Sequence, residues 1–130
     1  MPGSAAVPRI LVGDDEPQIC NLVRDVLKVG GYTIDLTQDG REFLLHYETG
    51  SYSLLILDTM LLHLSGLELV MKLRDQGDAV PIILMSGPAA ERERVEPFAF
   101  TYRVDVLRKP FGIVDLRAAV NRALGRPKHD

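Results

Sequence analysis

Cysteine occurs once in this chain, at Cys20, so no internal disulfide can form, and no Cys/His cluster has the spacing of a zinc site. Basic charge is not in excess. Against 18 Asp and Glu stand 15 Lys and Arg, a net charge of −3, so the positive field that non-specific nucleic-acid binding needs is missing. No apolar run approaches the roughly 18 residues of a membrane span. The opening stretch "MPGSAAVP" has neither the basic start nor the apolar segment of a signal peptide. Internal repeats, low-complexity tracts and dividing linkers are also missing. These absences predict a soluble protein of a reducing cytoplasm, with no membrane and no direct nucleic-acid partner. What is present is 130 residues, 46% of them hydrophobic, enough for one domain to bury one core without staples.

Short apolar runs alternate with amphipathic stretches five times. "RILVG" (Arg9 to Gly13) predicts a buried strand, and Ile19, Leu22, Val23, Val26 and Leu27 recur at helical spacing after it. Pro17 suits that helix's first turn, and Gly30-Gly31 ends it. "YTIDLT" predicts a half-buried strand with Ile34 and Leu36 on one side. A helix from about Asp39 to Glu48 follows, with Phe43, Leu44 and Tyr47 on one face. "SLLIL" is apolar throughout, as a strand covered on both faces must be, and predicts the sheet's centre. Leu67, Leu69, Val70 and Leu73 predict a helix ending near Gly77. "VPIILMS" predicts a fourth strand, with Pro81 tolerable at its start. Pro97 falls inside the next helical stretch, Ala89 to Phe100, which is therefore expected to be short or kinked. "RVDVLRK" predicts a fifth strand, and Ile113, Leu116, Ala119, Val120 and Ala123 a last helix.

Five such alternations predict an α/β fold: a doubly wound five-stranded parallel sheet of order 2-1-3-4-5 with helices on both faces, flavodoxin-like. We expect a disordered extension over residues 1–8, one domain over 9–124, and a tail or linker start over 125–130, "GRPKHD".

In such a sheet ligands bind outside the carboxyl ends of the strands, near the point where strand order reverses. There lie Asp14, Asp15 and Glu16 after strand 1, Asp58 after strand 3, Ser86 after strand 4, and Lys109 and Pro110 after strand 5. Carboxylates gathered within a few Å repel unless a cation joins them, and an all-oxygen set selects a hard ion such as Mg²⁺. Asp15 and Asp58 are the expected direct ligands, with Asp14 acting through water. Alone, "DDE" would more often be a turn and helix-start cluster; the pairing with Asp58 favours the metal. Asp58 is the candidate nucleophile, since a carboxylate can attack phosphorus to give an aspartyl phosphate; its bland alternative is a turn cap. Lys109 offers a compact positive charge and Ser86 a hydroxyl, each with an ordinary solvated or turn role as alternative.

"ILVGDDEP", "LLILDTMLLHLSGLEL", "ILMSG" and "LRKPF" together resemble the receiver domain of two-component response regulators, over essentially residues 9–124. The resemblance implies a CheY-like signalling domain, a phosphoacceptor rather than an enzyme. It would take a phosphoryl group from a sensor histidine kinase, or in a phosphorelay from a histidine phosphotransfer protein. Asp58 matches the phosphoacceptor, Asp14 and Asp15 the acid pair, Ser86 and Lys109 the phosphate-sensing positions, and the carbonyl of Met60 a third metal ligand. A cis Lys109-Pro110 bond is implied too, which proline makes affordable at roughly 0.5 to 1 kcal/mol and which would aim Lys109. Output would pass to an output domain or partner, or into a phosphorylation-dependent homodimer, through helix 4, strand 5 and helix 5.

Four positions depart from the family's usual pattern. Gly13 replaces a common β-branched residue and is expected to loosen the end of strand 1. Leu62 replaces a usual proline in the apolar loop "TMLLHLSG"; Leu61, Leu62 and Leu64 there either pack over helix 3, which we favour, or mark a contact surface, while His63 is expected to be solvated. Val106 stands where the family often has a switching ring, and Pro97 is the fourth departure, followed by Phe98, Phe100 and Tyr102: either one of those rings substitutes or the helix is simply re-formed. Met60 and Pro88 flank the expected phosphoryl site, and neither can orient attacking water, so a long-lived phosphoryl group is expected. Two other classes compete: a docking module that keeps the fold but switches poorly, and a metal-dependent phosphohydrolase. The hydrolase would want an acid where Met60 stands.

Overall fold

The computed structural model describes residues 7–87 and 89–125 of the chain. Ten elements alternate: β1 (Arg9–Gly13), α1 (Pro17–Val29), β2 (Thr33–Thr37), α2 (Gly40–Thr49), β3 (Leu54–Asp58), α3 (Gly66–Asp75), β4 (Ile82–Ser86), α4 (Ala89–Tyr102), β5 (Asp105–Arg108) and α5 (Ile113–Ala123). All strand pairings are parallel, in the order β2-β1-β3-β4-β5. The predicted doubly wound architecture and strand order are those observed.

Alternation along the strands divides the core into two layers. Ile10, Val12, Leu54 and Ile56 pack on one face with Val23 of α1 and Leu116 of α5. Leu11, Leu55 and Leu57 pack on the other with Phe43 of α2, Leu69 of α3 and Ala99 of α4. All five residues of β3 are buried, which makes it the central strand the sequence predicts. Each fully buried aliphatic side chain contributes roughly 1.5–3 kcal/mol. Polar groups close the ends. Ser65 and Glu68 form a reciprocal capping box on α3. Arg74 reaches from α3 to the carbonyls of Tyr102 (2.8 Å) and Arg103 (3.2 Å), holding the far end of α4.

Three expectations change. The helix bearing Pro97 is not short, for it runs 14 residues to Tyr102. Pro97 and Glu93, whose carbonyl loses its amide partner, are both exposed, so water can take the missing bond's place. The inward stripe Val95, Phe98, Ala99 and Tyr102 continues past the proline undisturbed. Ile113 is 49% exposed rather than core, because it opens α5 ahead of the first inward turn at Leu116.

Gly13 does not loosen β1. It is buried and paired with both Thr37 and Leu57, and a Cβ there would lie 2.7 Å from Cδ2 of Phe43. The ring of Phe43, itself 0% exposed, takes the space that a branched side chain would fill.

Candidate functional site

The sheet registers bring four strand ends together. Gly13 lies opposite Leu57, so Asp14 and Asp58 leave adjacent strands at one level. The Asp14 amide still bonds Thr37 O (3.2 Å), and the Lys109 amide bonds Ser86 O (2.8 Å), so each chain is held past its strand. Asp14 (0% exposed), Asp58 (6%) and Ser86 (3%) are all buried. The Lys109–Pro110 peptide is cis, as the family resemblance implies. Lys109 Nζ stands 2.7 Å from Asp14 Oδ2, 3.1 Å from Asp58 Oδ2 and 3.1 Å from Glu16 Oε1. The structure therefore brings Asp14, Asp58 and Lys109 into direct contact, with Ser86 ending the neighbouring strand.

Burial dominates the acids' proton affinity. It pushes Asp14 up to about 6, against the opposing effect of Lys109 and of the Glu16 amide, which donates to Asp14 Oδ1 at 2.9 Å. Burial also raises Asp58, opposed by Lys109 and by the Met60 amide. For Lys109, burial works to lower the pKa, but Asp14 and Asp58 outweigh it and the ammonium is held charged. Cys20, buried beneath, donates its thiol to Asp14 O (3.3 Å) and is pushed up to about 11 by burial.

Asp14, Asp15, Glu16 and Asp58 place one carboxylate oxygen each within 4.8 Å of one another. Among the described residues, Asp14 Oδ2 is the one buried side-chain oxygen without an aligned hydrogen bond, its lysine contact being a charge contact. A hard cation is the partner such an all-oxygen, electron-rich set accepts, so the cluster is compatible with metal binding. Met60 is 61% exposed, with its backbone turned to the Asp58 carboxylate. Val106 is half-buried against the α4 side of the sheet and lines an open groove with Glu96, Ala99 and Arg122. Phe98 and Tyr102 pack with their rings tilted by 38° and their centroids 4.6 Å apart, and Phe100 is 88% exposed. Pro88 lies outside the described residues.

The loop after Asp58 differs from expectation. Leu61 and Leu64 do pack, in the core layer that holds Leu69, Val70 and Leu73 of α3, and they reach further, Leu61 beside Gly13 of β1 and Leu64 beside Gly40 at the start of α2. Leu62 is 56% exposed. His63 is not merely solvated: at φ 69° its Nδ1 meets Asp39 Oδ2 at 2.6 Å, while Leu62 O accepts the Gly40 amide at 2.8 Å. Gly66 allows the loop's return, since a Cβ there would lie 2.0 Å from Asp58 O. Three residues at the site go beyond the sequence-predicted set. Glu16 lies in the "DDE" run but outside the expected ligand set. Thr59 donates to Glu91 Oε1 at 2.7 Å, a contact between residues too far apart for any local pattern to signal.

Fold and cluster define the class: an open doubly wound α/β domain with a lysine-bridged carboxylate cluster at its switch point. The chain belongs to the response regulator receiver domain family of two-component systems, whose family model matches residues 10–121. It is 36% identical to the alkaline phosphatase synthesis transcriptional regulatory protein SphR of Synechococcus elongatus, an alignment covering 97% of this chain and 54% of that protein. It is 35% identical to response regulator MprA of Mycolicibacterium vanbaalenii, covering 94% and 52%. The chain thus spans about half the length of the curated relatives it matches. The receiver domain of a Francisella response regulator superposes with TM-score 0.81 at 28% identity, covering 91% of this chain and 97% of that one. Chemotaxis response regulator CheY4 of Vibrio cholerae shares the fold with TM-score 0.82 at 24% identity, covering 92% and 100%. Among the described residues no helix is long and apolar enough to cross a membrane.

Proposed function

We propose that Asp58 accepts a phosphoryl group from a phosphohistidine of a sensor kinase or histidine phosphotransfer protein. A carboxylate oxygen of Asp58 forms the new bond to phosphorus as the phosphorus–nitrogen bond breaks, and the bond's electron pair leaves with the donor imidazole. Asp14, Asp15, Asp58 and the Met60 carbonyl would hold Mg²⁺, which when bound offsets charge on the phosphoryl oxygens. Lys109 carries the second positive charge, and Ser86 offers a hydroxyl to a phosphoryl oxygen. The observation that carries this reading is Lys109 Nζ bridging Asp14 Oδ2 and Asp58 Oδ2 at 2.7 and 3.1 Å, a cation placed where charge must be neutralised.

On this reading the chain is a signalling phosphoacceptor of the cytoplasm rather than a turnover enzyme. Its output is altered docking, to a partner, an output domain or a second copy, through α4, β5 and α5. Met60 brings no group that orients water, so the phosphoryl group is long-lived. The test is incubation with Mg²⁺ and acetyl phosphate, followed by intact mass and Phos-tag electrophoresis. One added phosphoryl group that Asp58→Asn abolishes, decaying over minutes or longer, is expected. No adduct from any small donor overturns the phosphoacceptor reading in favour of a docking module; rapid turnover of phosphate esters would favour a hydrolase.

A further inference from the structure

Thr59 follows Asp58 directly and is 2% exposed. Its hydroxyl stands between two carboxylates, Glu91 Oε1 at 2.7 Å and Asp58 Oδ1 at 3.4 Å. One hydroxyl carries one proton and can donate to only one of them at a time; the shorter contact is to Glu91. Glu91 sits in the first turn of α4, one turn before Val95 on the stripe that Phe98, Ala99 and Tyr102 continue toward the sheet. An acid on an apolar, inward stripe needs a polar partner, and Thr59 supplies it. The two contacts put the Glu91 carboxylate within about 6 Å of Asp58 Oδ1, inside the Debye length of roughly 8 Å at physiological salt.

We propose that Glu91 is a charge-sensing positioning residue that couples Asp58 to α4 through Thr59. The inference rests on the phosphoacceptor reading of Asp58. With Asp58 unmodified, the Thr59 hydroxyl ties the first turn of α4 to the site. A phosphoryl group on Asp58 adds negative charge facing Glu91 and strong acceptor oxygens that compete for the Thr59 proton. The hydroxyl rotates without giving up its proton, Glu91 is repelled, and the first turn of α4 is released. This coupling needs no aromatic ring at position 106, where the chain has Val106.

Hydrogen–deuterium exchange of the full chain, with and without Mg²⁺ and acetyl phosphate, tests it. In the wild type, exchange in the first turn of α4 should rise several-fold once the adduct forms. Glu91→Gln keeps the acceptor and removes the charge, so its α4 response should fall below about twofold at equal adduct. It should also be phosphorylated by the anionic donor about two- to fivefold faster, with the gap closing at high salt. Thr59→Ser should retain the wild-type response and Thr59→Val lose it, an independent check should the Glu91 variant misfold. An adduct with the same α4 response in Glu91→Gln as in the wild type overturns this inference and leaves the Asp58 reading standing. No adduct on the wild type overturns both.

Discussion

Gly13→Ala puts a methyl group where the structure has Phe43, so it tests whether this glycine is a packing choice or a weak point. The new Cβ would meet Cδ2 and Cε2 of Phe43 at 2.7 and 3.0 Å and Leu61 Cδ1 at 3.3 Å. Comfortable carbon–carbon contact is about 3.5–4.0 Å, and overpacking of this kind costs about 1–3 kcal/mol. Lower entropy of the unfolded chain gives back about 0.4–1 kcal/mol, leaving a net loss near 1–2 kcal/mol. Phe43→Leu alone loses volume in the second core layer and destabilises as well. In that background the methyl group has room, so Gly13→Ala should cost nearly nothing. The coupling of about 1–2 kcal/mol is what a double-mutant cycle reads in urea melts. In thermal melts the single Gly13→Ala loss is on the order of 3–8 °C for a chain of this size. A Gly13→Ala variant as stable as wild type, or a cost undiminished by Phe43→Leu, would refute the reasoning.

Asp39→Ala removes the carboxylate whose Oδ1 caps the Arg41 and Glu42 amides of α2 and whose Oδ2 pairs with His63, and should cost about 1–2 kcal/mol in urea melts. Asp39→Asn keeps the cap and should cost clearly less. Asp35 accepts from Tyr52 Oη at 2.7 Å and from Arg9 at 2.6 Å, and Tyr52 leads in holding its carboxyl below the ordinary value. Such an acid contributes stability above the unfolded pKa of about 3.9 and loses it as pH falls through the folded value. The melting-temperature gap between wild type and Tyr52→Phe should therefore be full near pH 7 and shrink below about pH 4; a gap constant through acid pH would count against the Asp35–Tyr52 bond. Mg²⁺ at about 100 times its Kd should stabilise the wild type by roughly 2.7 kcal/mol in thermal melts, reversibly with EDTA. Asp58→Asn and Asp14→Asn should lose most of that gain, and an equal gain in both variants would place the ion elsewhere.

How much of this was legible depends on the range of each interaction. Periodicity reports which face of an element is buried, and it marks β3 as central, α2 and α3 by their apolar stripes, and most of α1 and α5, with Leu22 and Ile113 the exposed exceptions. The strand-end rule then located Asp14, Asp58, Ser86 and Lys109, because in a parallel sheet the carboxyl edge follows from strand order alone. Contacts between distant residues were not legible. Gly13 looked loose because nothing nearby in the chain announces Phe43, and His63 looked solvated because its partner Asp39 belongs to α2. Thr59 and Glu91 gave no signal for the same reason. Pro97 misled differently: the rule for helix interiors holds for the lost bond, but an exposed carbonyl has water to replace it.

These long-range contacts make the surroundings of Asp58 unequal. Toward α2 the loop is held by the Leu62–Gly40 backbone bond, the His63–Asp39 pair and Leu61 in the core; toward α3 the Gly66 amide donates to Thr59 O at 2.9 Å. Toward α4 the link among the described residues is one side-chain hydrogen bond, from Thr59 to a half-buried glutamate. A charge placed on Asp58 therefore meets several backbone bonds and packed leucines on two sides and a single polar contact on the third. Disrupting one side-chain bond costs about 0.5–3 kcal/mol, whereas moving the loop would break backbone bonds and open core contacts together. Strain at Asp58 should thus escape toward α4 first, and the loop that bears exposed Met60 and Leu62 should keep its shape while it does.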